Sequence, residues 1–196
     1  METMTNKEAE SRRKILDSAR ELYIEFGLRK TSMDDVAKRT GIGRATLYRR
    51  YSDKDQLFQA VIFREVKRDL ASIEKRIRGI ENHLDGLMEA FTMAVLSIHG
   101  NSLLSRLLVT EPEQILPFLT SNFDKIMSFS TQFLGVQIAV AQKQGHIREL
   151  HANTTAEMIL RLIQSLMLSP GGLIDPADEG SVRRFAEGWI HPLLAP

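Results

Sequence analysis

Residues 31–58 read TSMDDVAKRTGIGRATLYRRYSDKDQLF, and the parsing of this stretch decides the fold. Ser32 is a natural N-cap, because its hydroxyl can accept from the free N–H groups of a first turn. Asp34 and Asp35 suit the positive end of the same helix, and Val36 and Ala37 turn inward. Ser32 and Asp35 stand at capping-box spacing, with aspartate in place of the usual Glu or Gln. Gly41-Ile42-Gly43 breaks this helix, and Arg44–Tyr51 has room for about two further turns before Ser52-Asp53. Asp53 then caps a third helix, with Gln56 three residues on. Two short helices joined by Thr40-Gly41-Ile42-Gly43 have helix-turn-helix spacing, in which the second helix can enter a major groove. Leu47 and Tyr51, four apart, face inward. Arg44, Ala45, Thr46, Tyr48 and Arg49 remain on the outer surface. These types suit duplex DNA: arginine pairs bidentately with guanine, small apolar groups meet the thymine methyl, and a tyrosine hydroxyl reaches phosphate.

Outward from this stretch the pattern stays helical. Ile15, Ala19, Leu22 and Phe26 repeat at three- and four-residue spacing and stop at Gly27. Beyond Asp53, an apolar stripe runs through Leu57, Val61, Ile62, Val66, Leu70, Ile73 and Ile77. A further helix from Ile80 to about His99 carries Leu84, Leu87, Phe91 and Val95. Leu103-Leu104 and Leu107-Leu108 define a shorter one. Pro112 and Pro117 are expected to bracket a broken stretch, with a long helix resuming between Pro117 and Ser121 and ending at Gly145. Asn153 is read as the cap of the next helix, which Ser169-Pro170-Gly171-Gly172 ends. A last helix carries Val182, Phe185, Ala186, Trp189 and Ile190. Alternating strand patterns and hairpin turns are nearly absent. The expected fold is all-α, with about nine helices: an N-terminal three-helix head on a larger helical body.

Composition narrows the function. There are no cysteines, which excludes disulfides, thiol catalysis and thiolate metal sites. The five histidines are scattered without ligand spacing, and no nucleophile or phosphate-loop motif is present, so neither enzyme chemistry nor a metal or cofactor is expected. No apolar run reaches membrane-spanning length, and the start METMTNKEAESRRK lacks a signal-peptide core, so a cytoplasmic protein is expected. The net charge of +1 conceals an asymmetry, since residues 1–70 hold 16 Lys+Arg against 12 Asp+Glu. A basic head on an acidic body fits a polyanion-binding head.

The stretch quoted above resembles the helix-turn-helix of TetR-type (tetracycline-repressor-like) transcriptional regulators, through Ala37, Gly41, Thr46-Leu47-Tyr48, Tyr51, Lys54 and Leu57. The resemblance covers about residues 10–70 and implies a DNA-binding domain there (motif about 32–51), with a ligand-binding and dimerisation domain over 71–196. It further implies that Ser32 caps the motif and touches phosphate. Arg44, Ala45, Thr46 and Arg49 would face bases or flanking phosphates, Tyr48 and Lys54 would contact phosphate, and Arg50 stands where the family often has histidine. Two positions depart from the pattern: Gly43 replaces a frequent serine, and Arg49-Arg50 is unusually basic. In the body, Met88, Phe91, Phe129 and Phe133 are either plain core or, on the resemblance, the lining of an effector pocket. The last two helices, with Ile159, Ile163, Phe185 and Trp189, would form a four-helix bundle across a homodimer. The implied function is sequence-specific repression at a near-palindromic double-stranded operator, released by a small-molecule effector. The alternative is a ligand-independent DNA-binding or protein-interaction module.

Overall fold

The structure, a computed structural model, describes residues 6–121 and 123–196. The described residues are helical throughout their regular elements: α1 (Asn6–Phe26), α2 (Met33–Thr40), α3 (Arg44–Arg50), α4 (Lys54–Ile77), α5 (His83–His99), α6 (Ser102–Thr110), α7 (Pro112–Thr120), α8 (Asp124–Lys143), α9 (Ala152–Leu168), α10 (Glu179–Phe185) and α11 (His191–Leu194). A π-helical turn, Ala186–Ile190, joins the last two, so the expected final helix is continuous but locally widened.

Two compact units result. The first holds the described residues through Lys67 together with Ser102–Thr120, and the second holds Arg68–Asn101 and Ser121–Pro196. This differs from a single boundary near residue 70, because α6 and α7 belong with the head.

In the first unit, α1 buries Ile15, Leu16, Ala19, Leu22 and Tyr23. Tyr23 meets Phe58 of α4 edge-on at 5.6 Å, and Phe58 meets Phe118 of α7 at 5.2 Å. Aromatic pairs in this geometry are favourable beyond the area they bury. A partly buried ion pair also ties α1 to α4, with Arg20 Nε donating to Glu65 Oε2 at 2.7 Å. Gly27 ends α1 at φ +87, and a Cβ there would strike the carboxylate of Glu111. That buried carboxylate accepts from the backbone N–H of Arg29 at 2.8 Å, joining the α1–α2 turn to the α6–α7 junction.

In the second unit, one apolar core gathers residues such as Leu84, Met88 and Phe91 of α5, Ile138 of α8, Ile159 and Ile163 of α9, and Ile190 and Leu194 near the C-terminus. Glu89 accepts from Arg183 at 2.8 Å and Arg76 at 3.1 Å, which draws its carboxyl below the ordinary glutamate range.

Two local expectations are corrected. Pro112–Thr120 forms a helix with Pro117 inside it rather than a broken stretch, and the long helix begins at Asp124. Pro112 occupies the first turn, where a missing N–H costs nothing, and α7 ends three residues past Pro117, so few intrahelical bonds are forfeited. His151, not Asn153, caps α9, its Nδ1 accepting from Thr154 N–H at 3.2 Å.

Candidate nucleic-acid interface

The local chemistry of the head sets its outer surface. Ser32 and Asp35 form a complete capping box: Ser32 Oγ accepts from Asp35 N–H, and the Asp35 carboxylate accepts from the Ser32 backbone N–H at 2.9 Å. The Ser32 hydroxyl also donates to that carboxylate at 2.6 Å, and this bond, then the backbone one, holds Asp35 below its usual range. At the other end of α2, Gly41 adopts φ +68, and its N–H together with that of Ile42 returns to the last carbonyls of the helix. A left-handed residue is needed there, and glycine supplies it without steric cost. The chain then turns into α3, where Gly43 stands at the N-cap with no side chain to offer.

Helix α3 is held by one face. Leu47 is fully buried at 0% exposure, and Tyr51, just past the helix end, is buried too. The opposite face carries Arg44, Ala45, Tyr48 and Arg49 into solvent, with Thr46 half-buried at its edge. Tyr48 is 46% exposed. Arg44 reaches back across the turn to an ion pair with Asp34. Sequence inspection missed this partner, although an acid ten residues before an arginine, across a two-helix turn, is a recoverable signal.

The structure separates the remaining expected contacts from that face. Arg50 is half-buried and donates to Ser11 Oγ of α1 at 2.8 Å. This bond ties the end of α3 to α1, and position 50 lies between the inner and outer faces of the helix. Lys54 is half-buried and donates to the Leu28 carbonyl at 3.0 Å, binding the start of α4 to the α1–α2 turn. Its ammonium keeps two further donors. Ser32 is exposed at the N-terminus of α2, its hydroxyl committed to Asp35.

In the second unit, Met88, Phe91 and Phe133 line an apolar cavity of about 50 Å³, while Phe129 does not border it. Ile159 and Ile163 are buried in the core of this unit, so neither lies on a free face as the dimer reading expected. The stripe of α9 is apolar on more than one side, and the isoleucines occupy the inner one. Phe185 is half-buried, its ring 5.9 Å from that of Phe91, whereas Trp189 is 74% exposed. No helix among the described residues is long and apolar enough to cross a membrane.

Comparison with known proteins agrees with this geometry. Residues 15–61 match the family model described as bacterial regulatory proteins, tetR family. The HTH-type transcriptional regulator UidR of Escherichia coli K12 is 26% identical over 189 residues, covering 96% of this chain and 93% of UidR. Among solved structures, the TetR family repressor AlkX of Dietzia sp. strain DQ12-45-1b, implicated in biodegradation of n-alkanes, superposes with a TM-score of 0.69 at 21% identity, covering 93% of this chain and 96% of that one. A Saccharomonospora viridis protein in complex with choline gives 0.60 at 20% identity, covering 96% and 99%. The helix-turn-helix head thus matches the tetR family model over residues 15–61, and the all-helical fold is the one seen in TetR-family regulators.

Proposed function

We propose that this protein is a sequence-specific repressor, without enzymatic activity, that acts in the cytoplasm and leaves its operator when a small molecule binds. The outer face of α3 carries the reading: Arg44, Ala45, Tyr48 and Arg49 are presented together while Leu47 anchors the opposite side. In this reading Arg44 exchanges Asp34 for a base edge, and Ala45 and Thr46 meet apolar groups in the groove. Tyr48, Lys54 and Ser32 sit toward phosphate. The known relatives support repression and effector control, since AlkX is a repressor and the Saccharomonospora protein holds a small molecule.

The working species is a homodimer. Its support is the exposed apolar surface of the C-terminal helices, where Trp189, Met158 and Leu193 stand in solvent. A two-fold axis there would place two recognition helices roughly 34–36 Å apart and require a near-palindromic site. The effector sits in the second unit, around Met88, Phe91 and Phe133. Helix α4, whose residues through Lys67 belong to the first unit and from Arg68 to the second, carries the coupling.

Selection of bound duplexes from random DNA, followed by gel shift, tests the assignment. A near-palindromic consensus is expected, and failure to enrich any sequence would overturn it. A stable monomer in sedimentation at micromolar concentration would remove the dimer.

A further inference from the structure

A second cavity in the same unit, of about 220 Å³, is lined by Glu74, Ile77, Arg78, Ile80, His83, Gly86, Leu87 and Gln137. It and the apolar cavity around Phe91, the outer and inner levels respectively, share walls from α4, α5 and α8, and the apolar one is closed further by Ile159, Leu160 and Ile163 of α9 and by Ile190. On α4 the inner level uses Leu70 and Ile73, and the outer uses Glu74, Ile77 and Arg78. On α8 it passes from Phe133 and Leu134 to Gln137, one turn on. Leu87 of α5 borders both and is the partition between them. The inner level has one polar side chain, Ser130, and no charge, so an ionic group there would go unpaired at high cost. Neither level alone reaches the roughly 300 Å³ at which small-molecule sites begin, whereas a single channel opened by a turn of Leu87 approaches it.

The polar wall of the outer level has a defined hydrogen-bonding sense. His146 Nδ1 lies 3.2 Å from the backbone N–H of His83 and 3.2 Å from His83 Nδ1. A backbone N–H only donates, so His146 Nδ1 is an acceptor. His83 Nδ1 is therefore the donor to it, and in the neutral ring that leaves Nε2 as the acceptor. Glu74 also accepts, and its charge is balanced by Arg78 at 3.5 Å. A carboxylate head would have to compete with Glu74 for Arg78, and a cationic head with Arg78 for Glu74.

We infer that these two cavities form one effector channel whose ligand is an uncharged amphiphile, with a hydrocarbon body around Phe91 and a hydroxyl-type donor at His83. The inference rests on the effector-controlled reading above and gives that site its ligand class.

Calorimetric titration of the full-length chain without DNA tests it, using 1-octanol, methyl octyl ether and octanoate at pH about 8, where octanoate is ionised. We expect saturable binding of 1-octanol at one per chain, with the ether and octanoate each about tenfold weaker or more. His83→Phe should bring octanol down to the affinity of the ether. Gly86→Leu should abolish binding by filling the outer level. Gly86→Ala, whose Cβ would lie 3.9 Å from Ile77 and 4.0 Å from Ile80, should fold and retain binding. Ala94→Leu, which fills the inner level instead, should also block binding. Octanoate or the ether matching octanol, no saturable binding by any probe, or undiminished octanol binding in both filled variants with native circular dichroism would overturn the inference. A gel shift on the same preparation separates the two readings. Intact operator binding without octanol binding removes only the channel, whereas octanol binding by a chain that selects no DNA removes the regulator.

Discussion

The recognition head and the helical body are specified by different physics. In the head, short-range polar geometry decides the structure: the Ser32–Asp35 box starts α2, Gly41 ends it, and Leu47 is the buried side chain that holds α3. Each of these acts within a few residues, so the presented face is fixed almost one residue at a time. In the body the helices are apolar over wide arcs, and pairing between distant segments chooses the inner side. Ile159 and Ile163 are inside while Met158, their neighbour, is out. A helix whose face is chosen by partners leaves surplus apolar surface, available to a ligand or a second protomer. A helix whose face is chosen by caps and a single anchor leaves little tolerance for change.

The sharpest test of that difference pairs Leu47→Ala with Ile159→Ala. Both truncate buried aliphatic side chains, and each is expected to cost about 2–5 kcal/mol in urea denaturation. Per folded molecule, operator affinity should collapse only for Leu47→Ala, because α3 has no second buried residue within its own span. Equal losses of DNA binding in both variants would break the contrast.

Within the head, exposed side chains should separate by role. Arg44→Ala is expected to relax base preference at one operator position by about 1–3 kcal/mol. Lys54→Ala should instead weaken all sequences alike and lower the salt slope by about one ion. Arg50→Ala should act through stability, since its guanidinium holds Ser11 rather than the outer face. Competition binding against single-base operator variants, across a salt series, distinguishes the three.

The body offers an electrostatic counterpart at Glu89. Glu89→Gln is expected to cost about 1–2 kcal/mol near neutral pH by weakening charge-assisted bonds to Arg183 and Arg76. The folded pKa is lowered, first by the Arg183 hydrogen bond, from the ordinary value of 4.5. The stabilisation is therefore present above that value and is lost as pH falls through the lower folded pKa. Urea melts of wild type and variant should converge in acid, and a gap independent of pH would show that packing, not charge, is responsible.

Legibility in the sequence followed the same divide. Helix start and stop signals around Ser32, Gly41 and Asp53 are local, and they mark the elements and the outer face of α3 directly. The bond from Arg50 to Ser11 was not legible, because a position at the edge of a seven-residue helix can turn either way and Ser11 lies 39 residues away. The grouping of α6 and α7 with the head goes with long-range pairings, Glu111 at the Gly27 turn and Phe118 against Phe58, that have no sequence period. Met88, Phe91 and Phe133 border a cavity and Phe129 does not, because neighbouring aromatics on α8 differ in direction, not in type.

The smallest expected effect probes the one place where the head breaks its own rule. Gly43 begins α3 without a side-chain cap, although its backbone, at φ −59 and ψ 139, is in the extended region that N-cap residues adopt. A Cβ built there meets nothing within 4 Å, so a side chain adds no clash. Gly43→Ser supplies an oxygen for the free N–H groups of the first turn, and the gain over glycine at such a site is about a few tenths of a kcal/mol. Serine also reduces the freedom of the unfolded chain, in the same direction. The expected result is a slightly raised denaturation midpoint with operator affinity unchanged or modestly higher, because Arg44 and Ala45 then start from a firmer turn. A destabilised Gly43→Ser variant would mean that the backbone at this position is set by tertiary contact and not by capping, which would bring the head under the same physics as the body.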